Sequence, residues 1–102
     1  MIKIEGRSDK RDELHEFLVE LSRDLPRVNG CEGVLVLRDL ESADHYALVE
    51  TWKSQKFHQN HFDHLQKSGA WATFVTLLAR EPLVSTFSLL LPFPPSPFIK
   101  LP

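Results

Sequence analysis

Three histidines stand three residues apart in the stretch FHQNHFDHL: His58, His61 and His64. Histidine can act as a general base because its ordinary pKa, about 6.5, lies near neutral pH. It can also bind metals, but a helical metal pair is usually spaced by four residues and needs a further carboxylate or cysteine. Here the single cysteine, Cys31, is distant in sequence. We therefore predict no metal site, and two interpretations of His61 stay open: a hydrogen-bonded core histidine or a base.

A helix turning about 100° per residue separates the three histidines. With Phe57 at 0°, His61 falls at about 40° and His58 at about 100°, in the same apolar arc as Leu65 at about 80°. His64 falls at the margin of that arc, near −20°, at about the same step per residue. The sequence thus predicts that His61 lies deepest, that His58 is a possible lining residue, and that His64 faces solvent.

The N-terminal half predicts the first elements that would position these side chains. Residues 2 to 5 read as a strand, and Ser8 or Asp9 is expected to cap a helix. Apolar residues at spacings of three and four, typical of an amphipathic helix, then follow: Leu14, Phe17, Leu18, Leu21 and Leu25. Pro26 and VNG should end this helix.

A hairpin and a divided helix are predicted next. Residues 31 to 39 and the segment HYALVETWK read as strands joined by a turn at ESAD, and one face of the second strand carries Tyr46, Leu48, Glu50 and Trp52. Residues 55 to 66 predict a helix that Ser68-Gly69 breaks or bends. A further helix carries Trp71, Phe74, Val75 and Leu78, and Pro82 opens a last strand, LVSTFSLLL. This order predicts an α+β, ferredoxin-like βαββαβ fold, an antiparallel sheet with helices on one face.

Such a sheet leaves its second face bare. That face would carry Ala47, Val49 and Thr51, with Leu35 and Leu37 as further candidates. An apolar area of this size is unfavourable in water, and pairing two sheets face to face would cover it. We therefore expect a symmetric homodimer.

Composition limits the class of protein. The 102 residues suit one small domain, and the net charge of −2, with no basic stripe, argues against a nucleic-acid partner. No run approaches the roughly 20 apolar residues that span a bilayer, so no membrane partner is expected. MIKIEGRSDK is too charged for a signal peptide, and a lone Cys31 fits a reducing compartment. These features favour a cytoplasmic protein.

The C-terminal segment PFPPSPFIKLP holds five of the seven prolines and predicts an extended, polyproline-like arm. We therefore expect a folded domain over residues 1–90 and a tail over residues 91–102. Phe93, Phe98 and Ile99 are expected to pack on the body or on a partner subunit. Disorder of the tail is the main alternative, and binding to an SH3-type groove through the PxxP spacing is a weaker one.

The stretch YALVETWKSQKFHQNH resembles the signature of the antibiotic biosynthesis monooxygenase superfamily. Members carry a strand ending in Glu-x-Trp and then a helix with a histidine nine residues after the tryptophan. Glu50, Trp52 and His61 stand at that spacing. NGCEGVLVLRD and SGAWATFVTLL resemble the segments that flank this signature, and the resemblance covers roughly residues 2 to 90.

The resemblance implies a dimeric α+β barrel with a pocket between sheet and helices in each subunit. Quinol- and anthrone-oxidising members use no metal or flavin, because the deprotonated phenolic substrate passes an electron to oxygen itself. His61 would be the base or an orienting donor, Trp52 a wall or orienting residue, and Glu50 a partner for a histidine or arginine. The residues alone leave core packing open for Trp52 and favour a strand-end ion pair for Glu50. Five residues are the expected substrate contacts: Phe57, His58, Leu65, Trp71 and Val75.

Two further possibilities bear on function. Haem-degrading relatives carry a tryptophan at the position of His61, a histidine ten residues later and an asparagine on the first strand. This chain has Trp71 at the second position and no asparagine in IKIEG, so haem degradation is not expected. The remaining alternative to a monooxygenase is a non-catalytic dimeric module that binds a small hydrophobic ligand.

Overall fold

The computed structural model describes residues 1–88 and 90. Four antiparallel strands form one sheet in the order β2-β3-β1-β4: β1 is Ile2–Glu5, β2 is Cys31–Arg38, β3 is His45–Trp52 and β4 is Leu83–Val84. The helices are α1 (Arg11–Asp24), α2 (Gln55–Ser68) and α3 (Ala70–Val75). This is the ferredoxin-like α+β fold that the order of elements predicted.

The core lies between one face of the sheet and the helices. Strand alternation directs Ile2, Ile4, Tyr46 and Leu48 to this face, where all four are buried. They pack with the apolar stripe of α1 and with the segment around α3, through Leu14, Leu18, Phe74 and Leu78. The stripe that indicated an amphipathic helix is therefore the side of α1 that meets the sheet.

The start of α1 differs from the prediction. Neither Ser8 nor Asp9 caps the helix, because residues Ser8–Lys10 form a 3₁₀ turn and Lys10 stands at the N-cap of α1 with no side-chain cap. The Asp9 carboxylate instead accepts two hydrogen bonds from Arg7, at 3.0 and 2.7 Å. A guanidinium fork is a stronger partner for a carboxylate than a backbone amide, so Arg7 takes the oxygens that a cap would need.

Gly69 separates α2 from α3. Ser54 begins α2 by accepting a hydrogen bond from the Phe57 amide at 3.4 Å. At the other end Gly69 has a φ of 83°, in the left-handed region that suits glycine at a helix terminus. The predicted break is therefore confirmed, although α2 runs to Ser68 and α3 ends at Val75. Leu78 is buried but lies beyond α3, where it forms an isolated antiparallel bridge with Gly6.

The last strand is much shorter than predicted. Only Leu83 and Val84 pair with β1, opposite Lys3 and Ile2, although LVSTFSLLL predicted a strand over residues 83–91. The ladder ends where the Ser85 amide donates to the Met1 carbonyl at 2.9 Å. Residues 86–88 therefore have no strand partner in the described chain. A segment with alternating apolar residues does not form a strand unless an adjacent strand supplies backbone hydrogen-bond partners. The predictions for residues 89 and 91 lie outside the described residues, as does the predicted proline-rich arm over residues 91–102.

The second face of the sheet is open to solvent in the single chain. Leu35 is 62% exposed and Leu37 is 48% exposed, opposite Val49 and Ala47 in the β2–β3 ladder. Large apolar side chains with this exposure on one flat face are typical of a surface that a partner covers. The homodimer stays a prediction. Among residues 1–88 and 90, no helix is both long enough and apolar enough to cross a bilayer.

Candidate functional site

A cavity of about 260 Å³ lies between the core face of the sheet and the helices. Its floor includes Ile2 of β1 and Glu50 of β3. One wall comes from α1 and the turn after it, and the other comes from α2 and α3. Most of the lining is apolar: Phe17, Leu21, Leu25 and Val28 on the first side, and Leu65, Ala70, Trp71 and Phe74 on the second.

His61 is the only histidine that lines this cavity in the described part of the chain. It is half-buried on α2, whereas His64 is exposed, in keeping with the helical wheel. Burial lowers the pKa of His61 below its ordinary 6.5, and the nearby His58 and His64 lower it further, while the Glu50 carboxylate opposes them. A lowered pKa leaves the imidazole neutral at neutral pH, with a lone pair free to accept a proton.

Glu50 and Trp52 lie on the same face of β3, two residues apart, and are joined by a hydrogen bond. The indole Nε1 of Trp52 donates to the Glu50 Oε1 at 3.0 Å. Glu50 is in no ion pair within residues 1–88 and 90, so the strand-end ion pair that the sequence favoured is not formed there. This hydrogen bond from the indole orients the Glu50 carboxylate at the cavity.

The Trp52 ring packs against the rings of two histidines. Its centroid lies 5.4 Å from that of His61 and 5.5 Å from that of His58, with ring tilts of 33° and 35°. Because these histidines are three residues apart on α2, successive turns place both rings against one indole. Trp52 itself is not among the cavity-lining residues, so it touches the site through His61 and Glu50.

Three of the expected substrate contacts lie away from the cavity lining. Phe57 packs against Gly30, where a β-carbon on the glycine would overlap the phenyl ring. His58 packs on Trp52. Val75 follows Phe74 on α3 and is turned about 100° from it, because each helical residue advances by that angle. Of the residues expected to contact substrate, Leu65 and Trp71 do line the cavity.

The α1 wall was not anticipated. Phe17, Leu21 and Leu25 are spaced by four residues, and the sequence predicted this stripe only as the apolar side of an amphipathic helix. The structure divides the stripe, because Leu14 and Leu18 do not line the cavity, whereas Phe17, Leu21 and the buried Leu25 do. In the structure Phe17 stacks on Phe74, with 4.9 Å between ring centroids, and so joins α1 to α3 beside the cavity.

Charged side chains occupy only the floor and the mouth of the cavity. Besides Glu50 and His61, the ionisable lining residues are Glu20 and Asp24, both exposed on the C-terminal half of α1. Over residues 1–88 and 90, no group of three or more His, Cys, Asp or Glu side chains is arranged to hold a metal ion. The arrangement is suited to enclosing a small apolar ring beside one neutral imidazole.

Comparison with known proteins assigns the chain to a family. The family model described as antibiotic biosynthesis monooxygenase matches residues 1–77. No curated protein matches the chain. A structure from Mycobacterium tuberculosis is similar with a TM-score of 0.79 at 18% identity, covering 91% of this chain and 94% of that one. Identity this low supports the fold and nothing more specific.

Two further solved structures carry the family in their names. A candidate antibiotic biosynthesis monooxygenase from Nitrosomonas europaea has a TM-score of 0.75 at 16% identity, covering 88% of this chain and 95% of its own. One from Bordetella bronchiseptica has a TM-score of 0.72 at 22% identity, covering 88% and 93%. The family match spans most of the described residues, including Glu50, Trp52, His61 and Trp71. The chain belongs to the antibiotic biosynthesis monooxygenase family.

Proposed function

We propose that the protein oxidises a small electron-rich phenol with molecular oxygen inside this cavity and that His61 is the base. Family membership and fold support a monooxygenase-like or small-ligand-binding role in general. The observation that supports the specific proposal is His61 itself. It is half-buried in a mostly apolar cavity, and its pKa is lowered mainly by burial. A neutral imidazole in such a place is suited to take a proton from a bound hydroxyl.

The reaction needs no group beyond the substrate, oxygen and a proton acceptor. His61 accepts the phenol proton, and the resulting phenolate gives one electron to oxygen. The two radicals join at a ring carbon to form a peroxide. Loss of the ring proton and cleavage of the O–O bond leave a quinone carbonyl and release the second oxygen atom as water. One phenol and one oxygen molecule thus give one quinone and one water, so the phenol supplies all the electrons.

Glu50 and Trp52 act on this step through His61. The Glu50 carboxylate favours the imidazolium that forms when His61 takes the proton, because it raises the pKa that burial lowers. The Trp52 indole holds that carboxylate at 3.0 Å and packs on the imidazole ring. Together they would fix the orientation of His61 and set the balance between accepting and releasing the proton.

The cavity also limits the size of the substrate. Its volume of about 260 Å³ lies just below the range of about 300–1,000 Å³ that is typical of ligand pockets. A substrate of one or two fused rings fits this space. The edges and faces of Trp71, Phe74 and Phe17 would pack on such a ring, which is a favourable arrangement for aromatic pairs.

Oxygen uptake tests the proposal. The chain is given a panel of hydroquinones and naphthols, and consumption is compared with that of His61→Ala and of His64→Ala. His64 is the matched control, because it is on the same helix but exposed. We expect His61→Ala to lose roughly 100-fold or more in rate, which is the usual contribution of a general base, and His64→Ala to keep its rate. Equal turnover in both variants would remove His61 from the mechanism. Phenol binding without any uptake would instead support the ligand-binding alternative.

The open face of the sheet supports a homodimer as part of this proposal. Two copies pairing through Leu35, Leu37 and Val49 would remove a flat apolar surface from water. The cavity lies on the opposite, helical side of the sheet, so pairing would leave its mouth accessible. Each subunit would then carry a complete site.

A further inference from the structure

We propose that this cavity selects an aromatic ligand with a cationic group at its outer end, and that Glu20 and Asp24 determine this preference. The inference rests on the proposed function only in using the same cavity. It adds the chemical class of the ligand: a phenol that bears an ammonium group on a short side chain, in preference to one that bears a carboxylate.

The charges around the cavity are mostly negative. Among the described residues, no lysine or arginine lines it, whereas three carboxylates do: Glu50 at the floor and Glu20 and Asp24 at the mouth. The remaining lining is apolar apart from His61. An anionic ligand would lose water on entering and would find no cationic side chain to replace it, which is strongly unfavourable. A neutral ring meets no such penalty.

The mouth adds attraction for a cation. Glu20 and Asp24 are four residues apart, so they project from the same side of α1, and both line the cavity beside Leu21 and Leu25. Asp24 is the last residue of α1, where the carbonyl ends of the helix carry partial negative charge. Two carboxylates and a helix C-terminus thus meet at one edge of an apolar cavity.

Glu20 is the stronger of the two determinants. The Asp24 carboxylate is paired with the neighbouring Arg23, whose Nε lies 3.3 Å from the Asp24 Oδ1. Both side chains of that pair are largely exposed, so its charge is only partly neutralised. Glu20 forms no ion pair within residues 1–88 and 90. A ligand ammonium at the mouth would therefore meet the Glu20 carboxylate first.

Three phenols of matched shape test the inference: tyramine, para-ethylphenol and para-hydroxyphenylpropionate. They differ in the charge at the end of the side chain. Binding to the full chain is measured without oxygen, by nuclear magnetic resonance titration of the indole N–H of Trp71, which lines the cavity. At low salt we expect tyramine to bind about tenfold more tightly than the propionate, with para-ethylphenol between them. Added salt should narrow the difference, because the mouth is exposed.

A double variant, Glu20→Gln with Asp24→Asn, should reduce the preference for tyramine over the propionate to about twofold or less, while the affinity for para-ethylphenol stays the same. The matched control is Glu32→Gln with Glu41→Gln. It removes the same amount of charge from two exposed residues outside the cavity lining and should keep the preference. Equal loss in both double variants would show that only overall charge matters and would overturn the inference.

The outcomes separate this inference from the proposed function. Equal binding of tyramine and the propionate, tighter binding of the propionate, or no binding of any of the three phenols overturns the charge preference. Hydroquinone oxidation that depends on His61 could still stand in the first two cases. A clear preference for tyramine in a protein that oxidises no phenol would support the charge selection and refute the monooxygenase proposal.

Discussion

Gly30 couples the turn before β2 to the start of the helix that carries His61. Its φ is 86°, a conformation that L residues rarely adopt, and a β-carbon built there would overlap the Phe57 ring. Its carbonyl accepts a hydrogen bond from the Lys53 amide at 2.8 Å, just before α2. Gly30→Ala therefore disturbs both the backbone and the packing of the first turn of α2.

Gly69 is the matched control for this substitution. Its φ of 83° is nearly the same, but a β-carbon there would meet nothing within 4 Å. The left-handed backbone costs a residue with a β-carbon about 1–2 kcal/mol. Alanine also reduces the conformational entropy of the unfolded chain, which offsets about 0.4–1 kcal/mol of this cost. We therefore expect Gly69→Ala to lower the free energy of unfolding by about 1 kcal/mol.

Gly30→Ala carries the same backbone cost plus the overlap with Phe57. Overpacking of this kind typically costs about 1–3 kcal/mol, so the total should reach about 2–4 kcal/mol. Urea unfolding monitored by circular dichroism measures both variants, and Gly30→Ala should unfold at the lower urea concentration with an unchanged slope. Equal midpoints for the two variants would refute the close packing of Phe57 on Gly30.

Three further outcomes are expected. If His61 is the base, oxygen uptake should fall in acid with a midpoint below 6.5, because burial lowers the pKa of His61 and only the neutral imidazole accepts a proton; a midpoint above 6.5 would contradict this. Leu35→Lys should turn a dimer into a monomer on size-exclusion chromatography, whereas Leu40→Lys, at a fully exposed residue of the hairpin turn, should not. Arg11 lowers the pKa of Asp44, so their pairing stabilises the fold above the ordinary aspartate pKa of 3.8 and is lost as pH falls through the lowered pKa. Arg11→Gln should therefore lower the urea midpoint slightly at neutral pH, and the difference from the wild type should vanish in strong acid.

The order of elements could be predicted because local patterns determine it. The spacing of Leu14, Phe17 and Leu18 indicates a helix, whatever surface that helix packs against. The alternation from Tyr46 to Trp52 indicates a strand with one buried face. Gly69 marks a helix end through its own backbone preference. The family resemblance in residues 50 to 61 also depends on local spacing. These features need no knowledge of distant contacts.

The errors arose where a distant or competing partner decides the structure. The length of β4 depends on where its neighbour β1 begins, because the pairing ends at Met1. The residues of β4 do not encode that limit. Aspartate is a common helix-capping residue, but the Asp9 carboxylate accepts hydrogen bonds from Arg7 instead. Phe57 lies in the apolar arc of α2, but that arc does not predict which residue each side chain packs against. In the structure Phe57 packs against Gly30. Lining residues on α1 were missed for the same reason.

The cavity walls come from widely separated parts of the chain, from Ile2 to Phe74. No contiguous half of the sequence contains them all, so binding requires β1, α1, β3, α2 and α3 to be assembled together. A ligand that fills the cavity would then bind the native state and not the unfolded chain. At a free concentration a hundred times its Kd, such a ligand would add about 2.7 kcal/mol to the free energy of unfolding. Thermal protection could therefore identify substrates before any reaction is known.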